Sequence, residues 1–588
     1  MRILRLALLA ACLAPLAPAA IAATPAVQRA LPAPVLTDEQ RTLYRDVFAA
    51  IRSSDWGTAA ARLDAAPEGP LHHAARAELY IAKGSPKVEL DALVALVAKA
   101  PDLPQAGQLA RLAVTRGATE APYVTPAQDL IWQGSQPRRA RGKSSTVSDP
   151  LATELETIVQ PLIVDDRPGE AEAHLAGWSE RLTPEARTEY QQRIAWSYYL
   201  IGRDADARRL AEQAVVGTGE WALHGSWVAG LAAWRTGDCN AAANAFATVG
   251  NRAGDVELGA AGHYWAARAD MRCKRPAQVQ ARLRTAARAP ETFYGLLARE
   301  ALGIKTASAA ELHDYRDAEW RTIAAKPNVR AALALAEIGE TGLADDFIKH
   351  QARIGGAQDH HCLIHLAADL NFVGTQYYLA HHAPRGARVN IAARYPMPDW
   401  RPARGTRVAQ ELLFAHALQE SDFRVRAVSP AGATGLLQVR PGTAGDIARA
   451  RGEAFDPKIL TDPVQNMEFG QSYIESLRDH HGTGGLLPKV IAAYNAGPVP
   501  ITEWNSRAMD GGDPLLYIES IPYWETRGYV PIVLRNYWIY EQKGGKPSAS
   551  RHALAQGMWP RFPGLPGASA VRVEQKRVAQ AETAPTSP

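Results

Sequence analysis

Ala195-Trp196-Ser197-Tyr198-Tyr199-Leu200-Ile201-Gly202, followed by Asp206-Ala207-Arg208-Arg209-Leu210, reads as one helical hairpin with a glycine at its turn. The pattern recurs as Gly230-Leu231-Ala232-Ala233-Trp234-Arg235-Thr236-Gly237, followed by Ala241-Ala242-Ala243, with Gly202 and Gly237 spaced 35 residues apart. A looser copy runs from Tyr264 to Ala287. A period near 34 residues with small residues at the helix crossings is the signature of a stacked α-solenoid. Its Trp, Tyr and Leu stripes read as inter-helix packing rather than as a ligand site. The expectation is a mainly α protein.

Working outward, residues 23–290 read as one superhelical, tetratricopeptide-like domain. Residues 291–398 form a further helical linker domain, from Thr292-Phe293-Tyr294-Gly295 to Tyr395-Pro396-Met397-Pro398. From 399 to 545 Gly, Pro and Asn become more frequent, and helices alternate with motif-bearing loops. After Lys543-Gly544-Gly545 the chain turns Ala-, Pro- and Ser-rich, so residues 546–588 are expected to lack a fold. A chain of 588 residues is too long for one core, which fits this division.

Arg2 and Arg5 precede an apolar run from Leu6 to Ala22 that ends in Ala20-Ile21-Ala22, the pattern of a cleaved secretory leader over residues 1–22. The rival is a lipoprotein box at Leu9-Ala10-Ala11-Cys12, but the sequence after Cys12 stays hydrophobic. The expected location is therefore the periplasm, without stable membrane insertion. Removing the leader leaves a net charge of +2, too small for a dedicated nucleic-acid protein. The short basic patch Arg138-Arg139-Ala140-Arg141-Gly142-Lys143 reads as a solvated linker.

Three cysteines follow the leader. Cys239 and Cys273 sit at hairpin turns that stacking would bring to one edge, so a disulfide is expected there, with Cys362 free. His361 and His365 could share a helix face, but no third ligand accompanies them. A packed histidine pair is expected, and no metal or cofactor.

Leu412, Leu413, Phe414, Ala415, Ala417 and Leu418 are apolar almost all round and end in Gln419-Glu420-Ser421. Such a helix is buried, and it carries a carboxyl to the edge of an apolar environment. Burial raises a carboxyl's pKa, which suits a proton donor at neutral pH. Taken alone, Glu420 would read as an exposed or paired helix-end residue. The neighbouring segments change that: Ser429-Pro430-Ala431-Gly432-Ala433-Thr434-Gly435-Leu436-Leu437-Gln438, then Pro441-Gly442-Thr443-Ala444. Further on come Ala492-Ala493-Tyr494-Asn495-Ala496-Gly497-Pro498 and Glu525-Thr526-Arg527-Gly528-Tyr529-Val530.

These four motifs, in this order, resemble the soluble lytic transglycosylases with a goose-type-lysozyme-like catalytic domain. The resemblance is strong over 399–542 and looser over the helical remainder. It implies Glu420 as catalytic residue, Ser429 and Gln438 lining the groove, and Tyr494 and Asn495 beside the scissile bond. It also implies Glu525 as a buried ordering carboxylate. Three positions depart from the family: Leu418 stands in place of Arg, Leu437 in place of Met, and Arg440 in place of a Met that covers the sugar. The charged Arg440 is expected to alter substrate preference or rate.

The implied reaction is cleavage of the bond between N-acetylmuramic acid and N-acetylglucosamine in peptidoglycan, with Glu420 acting as acid and then as base. A muramidase-type hydrolase and a murein-binding scaffold are the alternatives. Expected partners are glycan strands and cell-wall synthesis proteins, with no nucleic acid, and the protein is expected to be a monomer.

Overall fold

The computed structural model describes residues 33–304, 317–507 and 509–573, so the expected leader lies outside the described residues. The described chain is mostly helical. Its named strands form two short antiparallel ladders, Ile131–Trp132 with His382–Ala383 and Trp559–Pro560 with Ala570–Val571.

The repeats fold as the spacing demands. Helix Trp221–Thr236 stops at Gly237, whose φ of 86° is left-handed and favours glycine. Asp238 then caps Cys239–Arg252, accepting a hydrogen bond from Ala241 N at 3.0 Å. Small residues sit where the helices cross. A Cβ on Gly230 would come within 2.7 Å of Phe246, and one on Gly262 within 2.3 Å of Gly250 N.

Cys239 opens one helix, Cys273 caps Val256–Arg272, and the two are disulfide-bonded with a Cα–Cα distance of 5.6 Å. Closing a 34-residue separation restricts the unfolded chain. A Cys239→Ser/Cys273→Ser variant should therefore lose about 3–4 kcal/mol. The check is a lower denaturation midpoint with turnover unchanged at 25 °C.

Residues 23–290 do not share one core. The helices from Asp38–Arg52 to Ala106–Thr115 pack with Pro327–Glu337, Thr341–Ile354 and Ala357–Asp369. Val35 N and Arg41 both bond to Glu337, and Asn328 Nδ2 donates to Asp102 O at 2.6 Å. The second core runs from Ala152 to Ala298 and continues into the motif-bearing region. Between them residues 116–149 cross without a helix longer than one short turn, over a stretch interrupted by Pro122, Pro126, Gly134 and Pro137. The repeat pattern did not carry the information that the chain returns to its own beginning.

The expectation of an unfolded tail is corrected for residues 546–573. Ala549–Ala555 is a helix, and Arg551 pairs with Glu300 at 2.8 Å. Trp559 is buried against Tyr517, with ring centroids 5.2 Å apart, and Phe562 N donates to Gly485 O at 2.8 Å. Average composition hid these two apolar anchors. Residues 574–588 lie outside the described chain.

The solvated reading of the basic patch is also corrected. Arg139 is largely buried and forks onto Glu519, with both N–O distances 2.7 Å. Its guanidinium lies 4.6 Å from the centroid of the Trp227 ring. Glu519 accepts a further bond from Tyr294 at 2.5 Å, and Tyr294 accepts from Trp265 at 2.9 Å. Burial would lower the pKa of Arg139, and the Glu519 carboxylate outweighs it and raises it. This network joins the superhelix to the motif-bearing region.

His361 and His365 meet edge to face, with centroids 4.4 Å apart. Among the described residues no group of three or more His, Cys, Asp or Glu is placed to hold a metal ion. Cys362 is free and buried. No described helix is long and apolar enough to cross a membrane.

Candidate active site

Glu420 lies near the end of the helix Gln410–Ser421, whose flanks are buried from Glu411 to Leu418. The helix ends sharply because Asp422 and Phe423 both adopt left-handed backbone, with φ values of 51° and 61°. Neither is glycine, so each is strained by roughly 1–2 kcal/mol. Burial of Phe423 against Phe414, centroids 5.9 Å apart, holds that turn in place. The carboxyl is thereby fixed at a rigid tip instead of a fraying end.

Glu420 is partly buried, and burial is the main cause that raises its pKa, to about 7. Tyr529 opposes this by donating to Oε1 at 2.6 Å, and the nearby charge of Glu525 adds to it. Among the described residues no hydrogen bond reaches Oε2, which leaves that oxygen free to carry the proton. His416, one helical turn earlier, contacts the Tyr529 hydroxyl through Nδ1 at 2.8 Å. The phenol spends its single proton on Glu420, so Nδ1 is the donor in that contact. Burial pushes His416 down to about 3, so the imidazole is neutral. Burial likewise holds the Tyr529 phenol well above its ordinary pKa, and the charge of Glu420 adds to this, keeping it a donor.

Neither His416 nor Tyr529 was among the expected site residues. Tyr529 was visible in the last motif, and His416 was the one imidazole on an otherwise apolar helix.

The loop after Glu420 is built from backbone pairing. Val428 bridges to Thr434, and Thr434 to Val439. Ser429 Oγ accepts from Ala433 N at 3.0 Å, so its hydroxyl shapes the loop and is half-exposed. Gln438, at φ 45°, donates through Nε2 to Gly435 O at 2.8 Å and to Ala427 O at 3.2 Å. Asn466 clamps the same loop from Thr434 O to Leu437 N. Ser421 Oγ ties the end of the helix to Leu436 O at 2.8 Å.

Tyr494 donates to Leu437 O at 2.7 Å, and its ring lies 4.5 Å from that of His416. Asn495 donates to Glu525 at 3.3 Å and accepts from Thr526 at 2.6 Å. Glu525 is therefore at the site but exposed, not buried as the family resemblance implied; the buried carboxylate of this segment is Glu519. At the first turn of Trp524–Lys543 the Glu525 carboxylate looks outward toward Asn495. Arg440 caps the helix Pro441–Ala450 and is exposed, and its charge reaches Tyr473, whose ring is 5.4 Å from Tyr494. Leu418 and Leu437 are core residues, and a Cβ on Gly470 would come 2.2 Å from Leu437.

A cavity of about 590 Å³ opens elsewhere, between the superhelix and residues 522–527, and Glu420 does not line it. Its carboxylates are already engaged, Glu156 and Glu189 both pairing with Arg193.

Known proteins are similar to this chain in sequence and in fold. Residues 401–515 match the transglycosylase SLT domain. The soluble lytic murein transglycosylase of Salmonella typhimurium is 33% identical over 163 residues, 27% of this chain and 24% of that protein. That of Escherichia coli is 35% identical over 147 residues, 24% and 22% respectively. The chain thus spans about a quarter of the length of these relatives. The 70-kDa soluble lytic transglycosylase in complex with bulgecin A superposes with a TM-score of 0.55 at 17% identity, covering 89% of this chain and 99% of the other. Residues 401–515 are thus similar to the transglycosylase SLT domain, held in a helical frame that shares the fold of the 70-kDa soluble lytic transglycosylase.

Proposed function

We propose that this protein is a periplasmic peptidoglycan lytic transglycosylase and that Glu420 serves as its acid and then its base. The observation that carries the reading is one partly buried carboxyl with Oε1 bonded to Tyr529 and Oε2 free, inside an SLT domain. Protonated Glu420 donates through Oε2 to the oxygen joining N-acetylmuramic acid to N-acetylglucosamine, and the C–O bond breaks as positive charge develops at the muramyl C1. The muramyl N-acetyl group stabilises that charge. The carboxylate, now stabilised by the Tyr529 hydroxyl, removes the proton from the C6 hydroxyl, whose oxygen closes on C1. The product is a 1,6-anhydro ring, and Glu420 ends protonated. One group plays both parts because giving up the proton creates the base.

Ser429 and Gln438 hold the loop facing the glycan, Tyr494 and Asn495 flank the bond, and Arg440 presents a charge where a thioether would cover the sugar. Peptidoglycan strands are the partner class, with cell-wall synthesis proteins as further partners of a monomeric enzyme. Clearing of murein in a zymogram tests this reading against a binding scaffold, which would leave the gel opaque. The hydrolase alternative draws on Glu525, a second carboxylate close enough to raise the pKa of Glu420.

The free enzyme must hold Glu420 protonated, so kcat/KM should fall as pH rises through about 7. Tyr529→Phe removes the group that stabilises the anion. Its rate should drop about 10–100-fold, the worth of a hydrogen bond to a charged group, and its alkaline limb should move to higher pH. An unchanged pH–rate profile between 5 and 9 would count against the role of Tyr529.

A further inference from the structure

Outside the site, Trp132, Tyr378 and His382 stack at the surface over the buried His381. Trp132 lies flat on His381, with centroids 5.4 Å apart, and leans on His382 at 5.0 Å. His382 in turn stacks on Tyr378 at 4.3 Å. The ladder pairing Trp132 with His382, together with Gln133 N donating to His381 O at 2.8 Å, holds the indole rigidly. Yet Trp132 is 55% exposed. Neither its Nε1 nor the Tyr378 hydroxyl makes a hydrogen bond among the described residues. Single exposed apolar residues are ordinary, but a supported, half-exposed indole with two idle polar groups beside it has the amphipathic form of a binding surface.

The stack is continuous with the candidate site. Tyr377, ring to ring with His381 at 4.3 Å, donates to Asp422 at 2.8 Å, two residues past Glu420. Arg138 is exposed near Tyr377, with no ion pair among the described residues. A pyranose has a CH-rich face that fits a flat indole, and hydroxyl and N-acetyl oxygens that accept from Nε1 and Oη. The muramyl lactyl carboxylate, free in peptide-free strands, suits Arg138.

Resting on the murein reading above, we infer that Trp132, Tyr378 and His382 form an accessory platform that grips a glycan strand beyond the cleavage groove. The platform binds long strands and is not reached by short ones. The test uses the full chain carrying Glu420→Gln and two probes, peptide-free glycan strands released from sacculi and murein tetrasaccharides. Adding Trp132→Ala should weaken long-strand binding about ten-fold, as truncation of an aromatic anchor does, and leave tetrasaccharide binding unchanged. Trp132→Tyr should keep strand binding, and Trp132→Leu should lose it.

The inference is overturned if Trp132→Ala binds strands like its parent, if Trp132→Leu binds as well as Trp132→Tyr, or if tetrasaccharide affinity falls in step. Absence of strand binding by the parent overturns it together with the murein reading. Failure of the catalytic assignment alone is read separately, as residual turnover by Glu420→Gln.

Discussion

Glu420→Gln should lose at least about a thousand-fold in turnover while keeping its affinity for glycan, because an amide neither donates the proton nor recovers one, and each of those roles is worth about 10²–10⁴. The same substitution has a second signature, in stability. The folded-state pKa of Glu420 is raised, to about 7. Stability from the protonated carboxyl is therefore present below the ordinary carboxylate range and is lost as pH rises through 7. At pH 8 the wild type carries a partly buried anion, and glutamine removes that penalty. The variant should unfold about 2–3 kcal/mol harder than wild type at pH 8, with the gap closing toward pH 4. Chemical denaturation at the two pH values checks it. A gap that widened toward acid would mean a carboxyl stabilised as the anion, the opposite electrostatics.

Arg139→Leu should lower stability by about 3–5 kcal/mol, the expected loss when one member of a buried pair goes and the other stays charged. Glu519 is 1% exposed, and Tyr294 is its remaining hydrogen-bond donor in this network. Because the pair joins the superhelix to the motif-bearing region, the loss should appear as a lower melting temperature accompanied by reduced activity. The double variant Arg139→Leu/Glu519→Leu should recover part of the loss, since it leaves no unpaired charge. If Arg139→Leu melts like wild type, the pair does not couple the two parts.

The helical hairpins were legible in the sequence because one feature repeats. The 35-residue spacing of Gly202 and Gly237 located the hairpins. Local periodicity is silent about long-range return, so the packing of Asp38–Arg52 and its neighbours onto residues 323–379 was not legible. Arg139 looked solvated because its partner lies 380 residues away. Trp559 and Phe562 were lost in an Ala- and Pro-rich average. At the candidate site, motif order singled out Glu420 as a candidate, whereas the contact between His416 and Tyr529 spans 113 residues and only the fold creates it. Glu525 contacts Asn495 and is exposed where the resemblance implied a buried carboxylate, because which face of a helix's first turn looks outward is set by tertiary packing.

Intact sacculi digested with the purified protein, with the soluble muropeptides weighed by mass spectrometry, address the proposed chemistry most directly. Elimination by a single carboxyl predicts muramyl ends one water lighter than reducing ends, absent from the Glu420→Gln digest. Reducing ends of full mass, or anhydro ends still formed at wild-type rate by Glu420→Gln, would contradict it.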